Sequence, residues 1–185
     1  MQTQRTVIIL LAIIVLMAIE IVYLVLQNRQ LRAVVAETTA TFNTLQQSQH
    51  VPGLTGQDLQ GNPLRVHYSA DAPRTILVMF SPGCSACKDN TTFWQELFER
   101  SASSRFRYLG MCVGTEDDAR AYATEHGLTF PILAVTDERL IGAYNGHVLP
   151  QTAIVSPEGT IVKSWPGTLD ETAKSEVVAG VKNLQ

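Results

Sequence analysis

Thr75-Ile76-Leu77-Val78-Met79-Phe80-Ser81-Pro82-Gly83-Cys84-Ser85-Ala86-Cys87-Lys88 decides the reading of this chain. Thr75 to Phe80 is apolar and rich in β-branched residues, the pattern of a buried strand. Ser81-Pro82-Gly83 is a turn signal. From Cys87 onward Phe93, Trp94, Leu97 and Phe98 recur at helical spacing, which makes this aromatic group core rather than a cofactor box. Two cysteines three apart at a helix start can close a small disulfide. The first sulfur then lies beside unpaired N–H groups at the positive end of the helix, where thiolate is favoured over thiol. Strand, short turn, Cys-x-x-Cys and helix is a layout for redox chemistry. The pair has two other uses. It could be half of a zinc site, but no second Cys or His pair follows at ligand spacing. It could also be two buried structural thiols.

Outward from this stretch, strands and helices alternate. His50-Val51-Pro52-Gly53 marks a boundary by its turn residues. Gln57 to Val66 reads as a hairpin turning near Gly61-Asn62. Phe106 to Val113 is a second long strand, and Glu116 to His126 a helix capped by Thr115 and closed by Gly127. Ile132 to Val135 is a short strand, followed by a polar helix or turn from Asp137 towards Tyr144. Thr152 to Ser156 and Thr160 to Ser164 flank the turn Pro157-Glu158-Gly159. Leu169 to Leu184 is the last helix. That order predicts an α/β domain over residues 50–185, a central mixed sheet flanked by helices behind an N-terminal hairpin.

Composition agrees. The chain has 185 residues and a formal net charge of -3, so a basic face for nucleic acid is not evident. Three cysteines are too few to staple a scaffold, so the fold rests on a hydrophobic core. About 135 residues are enough to bury one.

The N-terminus is different material. After a short tail, residues 1–5, Thr6 to Leu26 (TVIILLAIIVLMAIEIVYLVL) carries a single charge, Glu20. About 20 helical residues span the hydrocarbon of a bilayer, so 6–26 is expected to be an uncleaved transmembrane signal anchor. Glu20 would be costly facing lipid, and suits the interface or a polar contact with a partner helix. Arg5 before the span and Arg29 and Arg32 after it would, by the positive-inside rule, place the C-terminal side in the cytoplasm. A redox role for the following domain argues for the extracytoplasmic, periplasmic side, and that argument carries more weight. Residues 27–49 lack proline and glycine. Leu24, Asn28, Leu31, Val35, Thr38, Phe42 and Leu45 form a heptad-like stripe, the pattern of a helical stalk or linker that could pair as a weak dimer.

Residues 50–185 resemble the membrane-anchored thioredoxin-like proteins of the TlpA/ResA type. The resemblance rests on the hairpin Leu54 to Leu64, the strand leading into Cys84-Ser85-Ala86-Cys87-Lys88, the stretch Val148-Leu149-Pro150-Gln151-Thr152-Ala153-Ile154-Val155, and the turn Ser156-Pro157-Glu158-Gly159-Thr160-Ile161. Ser81 to Lys88 is also similar to thioredoxin-like proteins that help mature methylamine dehydrogenase. The resemblance implies a thiol-disulfide oxidoreductase with a cis-proline at Pro150, lying against the Cys pair. The backbone of Leu149 would pair with an extended substrate segment. Two departures stand out. Gly83 occupies a position where many relatives have tryptophan, and Val78 stands where thioredoxin has a buried acid.

On this reading Cys84 is the nucleophile and Cys87 the resolving thiol, joined as a disulfide in the oxidised state. Neither metal nor organic cofactor is needed. The partners are protein thiols or disulfides and a membrane or extracytoplasmic redox carrier; cytochrome c or enzyme maturation fits. Lys88 would either lower the thiol pKa or simply be solvated. Cys112 reads as a small buried hydrophobe, and His147 as an exposed loop residue. Rival functions are a Cu(I) metallochaperone using Cys84, Cys87 and His147, and a thiol peroxidase using Ser81, three residues before Cys84. The peroxidase reading lacks a proline at Leu77, and the copper reading lacks the usual wider cysteine spacing. A third is a scaffold that keeps the fold for protein contacts.

Overall fold

The computed structural model describes residues 16–18, 20–29, 44–101 and 106–183. The chain divides into two compact units, Met1–Thr41 and Phe42–Gln185. In the first, residues 16–18 and 20–29 are helical, and Leu16, Met17 and Ile21 to Leu26 are all exposed. Among the described residues no helix is long and apolar enough to cross a membrane. Much of the expected span over 6–26, and most of the stalk over 27–49, lie outside the described residues.

The second unit opens with a hairpin, β1 (Leu54–Gln57) and β2 (Pro63–Val66), paired antiparallel. The elements that follow are β3 (Arg74–Phe80), α1 (Ser85–Arg100), β4 (Phe106–Val113), α2 (Glu116–Glu125), β5 (Ile132–Val135), α3 (Glu138–Ala143), β6 (Gln151–Val155), β7 (Ile161–Pro166) and α4 (Glu171–Asn183). The main sheet has the order β5-β4-β3-β6-β7. Strands β3, β4 and β5 run parallel, while β6 and β7 are antiparallel to their neighbours.

Strand β3 is central and covered on both faces, which is why it reads as an unbroken apolar run rather than an alternating one. Its side chains nevertheless alternate. Ile76, Val78 and Phe80 join the cluster that holds Cys87, Trp94 and Leu97 of α1, Tyr122 of α2, and Val177 and Val181 of α4. Leu77 and Met79 join the opposite cluster, with Leu54, Val66, Ile141 and Tyr144. Trp94 is fully buried, and its indole N–H donates to Thr152 Oγ1 at 2.9 Å. Truncating such a residue costs about 3–5 kcal/mol.

Several element boundaries differ from the sequence expectation by a residue or two, and three differences matter more. The first hairpin strand lies at Leu54–Gln57, earlier than the residue pattern places it and where the family resemblance does. Its return is a turn in which Asp58 accepts hydrogen bonds from the backbone of Gln60 and Asn62. Helix α1 starts at Ser85, before Cys87, because Cys84 itself is the N-cap. The compact unit begins ahead of His50. Thr44 and Leu45 are buried, and Leu45 belongs to the core cluster of Leu77 and Met79. The last apolar position of the heptad-like stripe is therefore a core residue of the domain. Helical periodicity alone cannot separate that role from a stalk.

Candidate redox site

Strand β3 delivers the chain to the Cys pair. A tight turn follows, closed by the Cys84 N–H donating to Ser81 O at 3.1 Å. Cys84 has extended backbone (φ -87°, ψ 102°) and caps α1 through its own carbonyl, which accepts from the Cys87 N–H at 3.1 Å. Among the described residues no side chain caps this helix, and its first turn contains no acid. The positive end of α1 is thus left uncompensated beside the Cys84 sulfur, the arrangement that stabilises a thiolate. Lys88 lies in the same turn and is exposed.

Helical geometry separates the two sulfurs. Cys87, Asn90, Thr91, Trp94 and Leu97 fall on the buried stripe of α1, whereas Cys84 at the cap is only partly buried. Cys87 is 0% exposed. The two form a disulfide, with S–S 2.13 Å and Cα–Cα 5.3 Å.

The Leu149–Pro150 peptide is cis, with Pro150 buried and Leu149 partly buried against both core clusters. It is tied to the Cys helix through the backbone of one residue, Gly167, which no sequence motif marks. The Gly167 N–H donates to Pro150 O at 2.8 Å, and Gly167 O accepts from Asn90 Nδ2 at 3.1 Å. Asn90 Oδ1 in turn accepts from the Leu169 N–H at 2.9 Å. Gly167 makes this bridge with φ +82°, a conformation that favours glycine. A polar Asn on the inward stripe, one turn beyond Cys87, was the available signal.

The remaining candidates separate. Val78 is buried against β4 and β6, opposite Gly110 and Thr152. Among the described residues the one buried carboxylate is Asp58, which is engaged in the hairpin turn. Burial alone would raise the Asp58 carboxyl, but hydrogen bonds from Asn62 and Gln60 bring it below its ordinary value. Cys112 is fully buried in β4, across from Phe80 and Ala134. Burial, and then the Asp118 charge, push its thiol up to about 12, so it stays protonated at neutral pH. His147 is exposed on the loop before Leu149, and Ser81 contributes its carbonyl to the turn. Gly83 is exposed, with open space where a side chain would project.

Five strands in this order, with Cys-x-x-Cys at the first helix and a cis-proline entering β6, define a thioredoxin-like protein. The profile described as the AhpC/TSA family matches residues 48–164, and the chain belongs to that family. Among curated relatives, the thiol-disulfide oxidoreductase ResA of Bacillus subtilis is 28% identical over 90 residues, which is 48% of this chain and 50% of the relative. The ResA of Geobacillus thermodenitrificans is 24% identical over 134 residues, covering 71% of this chain and 75% of that one. The match thus spans about half the length of the first relative and three quarters of the second. Two solved structures share the fold. The thioredoxin domain of a thiol-disulfide oxidoreductase from Bacteroides vulgatus superposes with a TM-score of 0.62 at 20% identity, over 75% of this chain and 99% of that one. StoA from Bacillus subtilis gives 0.59 at 17% identity, over 70% and 98%.

Proposed function

We propose that this chain is a thiol-disulfide oxidoreductase, tethered to a membrane by residues 6–26 and exchanging disulfides with extracytoplasmic polypeptides through Cys84 and Cys87. The observation that carries the reading is the asymmetry of the pair. Cys84 is only partly buried, at an uncompensated helix N-terminus, and Cys87 is fully buried one turn along. The exposed apolar side chains of Leu16, Met17 and Ile21 to Leu26 support the tether, since water is a poor solvent for them.

The chemistry balances without a metal or an organic cofactor. In the reduced enzyme the Cys84 thiolate attacks one sulfur of a substrate disulfide. A mixed disulfide forms and the first substrate thiolate leaves. Cys87 then attacks Cys84 Sγ, closing the intramolecular disulfide and expelling the second substrate thiolate. Two electrons have passed to the substrate, and a dithiol carrier must return them. Run backwards, the same steps insert a disulfide. Asp58 is held in the hairpin turn and Val78 cannot carry a proton. The Cys87 proton therefore leaves by way of water or the departing substrate thiolate. The backbone at Leu149 offers the attacked polypeptide an extended edge.

Trapping tests the reading. In full-length protein, Cys87→Ala is expected to accumulate mixed disulfides with polypeptides on Cys84, and Cys84→Ser to accumulate none. Equal trapping by both variants, or by neither, overturns it. A redox titration of the same protein assigns the direction. A potential near or below about -250 mV marks a reductase, and one near about -120 mV marks a disulfide donor.

A further inference from the structure

The loop that carries Leu149 and Pro150 is held from behind by the segment that leads into the domain. Gln151, immediately after Pro150, is buried at 1% exposure. Its Oε1 accepts from the Leu45 N–H at 2.6 Å, and its Nε2 donates to both Asn145 O and Val148 O at 2.8 Å. Three of the four hydrogen bonds that this amide can make are thereby used, all on backbone. Gln49 makes a second clamp. Its Nε2 donates to Ala143 O at 3.0 Å, and its Oε1 accepts from the Gln46 N–H at 3.0 Å and Asn145 Nδ2 at 3.1 Å. Asn145 Nδ2 also donates to Thr44 O at 2.8 Å, from a residue with φ +49° that turns the chain towards Leu149.

The segment itself is anchored elsewhere. The Leu45 side chain is in the core, its carbonyl accepts from Ser164 Oγ at 2.6 Å, and the Ser48 N–H donates to Ile161 O at 2.8 Å. Residues 44–49 are thus fixed to β7 on one side and grip residues 143–151 on the other. A connecting segment with no further task needs only to reach the domain. Here Gln49 of the segment holds Ala143 O, Gln151 holds the carbonyls of Asn145 and Val148 while taking the Leu45 N–H, and Asn145 reaches back to Thr44 O and Gln49.

We propose that Gln49, Asn145 and Gln151 are positioning residues that set the Leu149 backbone for polypeptide binding, with residues 44–49 as the back wall of the substrate loop. This rests on the reading that Leu149 and Pro150 meet the substrate. The physical need is registration. An extended segment pairs with the Leu149 backbone only within hydrogen-bond distance, and displacements of about 1 Å are enough to weaken such pairing and slow the exchange.

The test uses full-length protein with two substrates, the Cys pair reduced beforehand and each reaction followed as a single turnover, so that KM here is the half-saturating substrate concentration of that turnover. One is an extended peptide whose cysteine carries thionitrobenzoate as a mixed disulfide, and the other is Ellman's reagent, which has no peptide. In both, Cys84 attacks and thionitrobenzoate leaves, so the chemical step is shared. Gln49→Ala, and Gln49→Met, which fills the space without the hydrogen bonds, are expected to raise KM for the peptide about tenfold. The rate with Ellman's reagent and the potential of the Cys pair should stay at wild-type values. An unchanged peptide KM, or an equal loss with both substrates, overturns the inference. Saturable wild-type kinetics with unaffected variants sinks the inference alone. A wild-type rate that never saturates with peptide sinks the substrate-edge reading and the inference with it.

Discussion

Two helices start side by side at the same end of the sheet, and their N-termini are built in opposite ways. α1 follows β3 and α2 follows β4, the adjacent parallel strand. A Cβ on Gly114, just after β4, would lie only 3.4 Å from Pro82 Cδ, so the two starts are close neighbours. α2 is fully compensated. Thr115 caps it, accepting from the Asp118 N–H at 3.2 Å, and Glu116, Asp117 and Asp118 fill its first turn. α1 begins with a cysteine cap, no first-turn acid and Lys88. Both ends carry a similar partial positive charge. In α2 it is used up locally to stabilise the helix. In α1 it remains available to a sulfur anion. On the proposed function α1 is the functional end and α2 a structural one, and the contrast extends to the cysteines beside them. Cys84 sits at the uncompensated end. Cys112 lies under α2, where burial and Asp118 hold it as a thiol.

The largest effect should come from exchanging roles. Cys84→Ser is expected to drop disulfide exchange to background, while Cys112→Ala leaves the rate with thionitrobenzoate peptides within about twofold of wild type. A Cys112 variant that lost exchange would break the comparison. Alkaline pH sharpens it next. Cys112 has a folded pKa raised to about 12, so the folded state keeps a proton that the unfolded chain loses. Stability is therefore fully present below about pH 8.5 and falls as pH rises from there towards 12, by at most about 1.4 kcal/mol per pH unit from this group. Denaturant melts of wild type should show a steeper alkaline loss than Cys112→Ala; equal slopes would remove Cys112 from the account.

Smaller effects probe the helix ends directly. Thr115→Ala should cost about 1 kcal/mol in a thermal or denaturant melt, with disulfide exchange unaffected. Loss of exchange there would mean that the α2 end is more than structural. Ser85→Asp places an acid in the first turn of α1. It should raise the Cys84 thiol pKa by about half a unit, read from thiolate absorbance in the reduced protein. A pKa unmoved by Ser85→Asp would show that the helix field does not reach the sulfur.

Much of this site is legible without coordinates because its signals are local. Thr75 to Phe80 is apolar over six residues, the Cys pair has helical spacing, and Thr115 stands where a cap must. Each follows from the few residues around it, through strand burial, helical period or end satisfaction. Leu45 shows where local reading stops. It fits the heptad-like stripe from Leu24, yet it is a core residue of the domain. A side chain at apolar spacing carries no information about which surface covers it.

The polar supports were illegible for the same reason. Asn90 meets Gly167, 77 residues away, and Gln151 meets Leu45 across 106. A lone Asn or Gln has no periodicity, so nothing in the one-dimensional pattern distinguishes a surface amide from one that holds a loop in place. The order of strands and helices, the Cys-x-x-Cys pair at a helix start and the apolar character of the N-terminus are readable from the chain alone, since all of them depend on neighbouring residues. Two things needed the packed molecule: that Gly167 joins the Cys helix to the Pro150 loop, and that residues 44–49 belong to the domain. Those facts depend on which distant backbone groups meet. That is settled by how the layers pack, once every buried donor and acceptor has to find a partner.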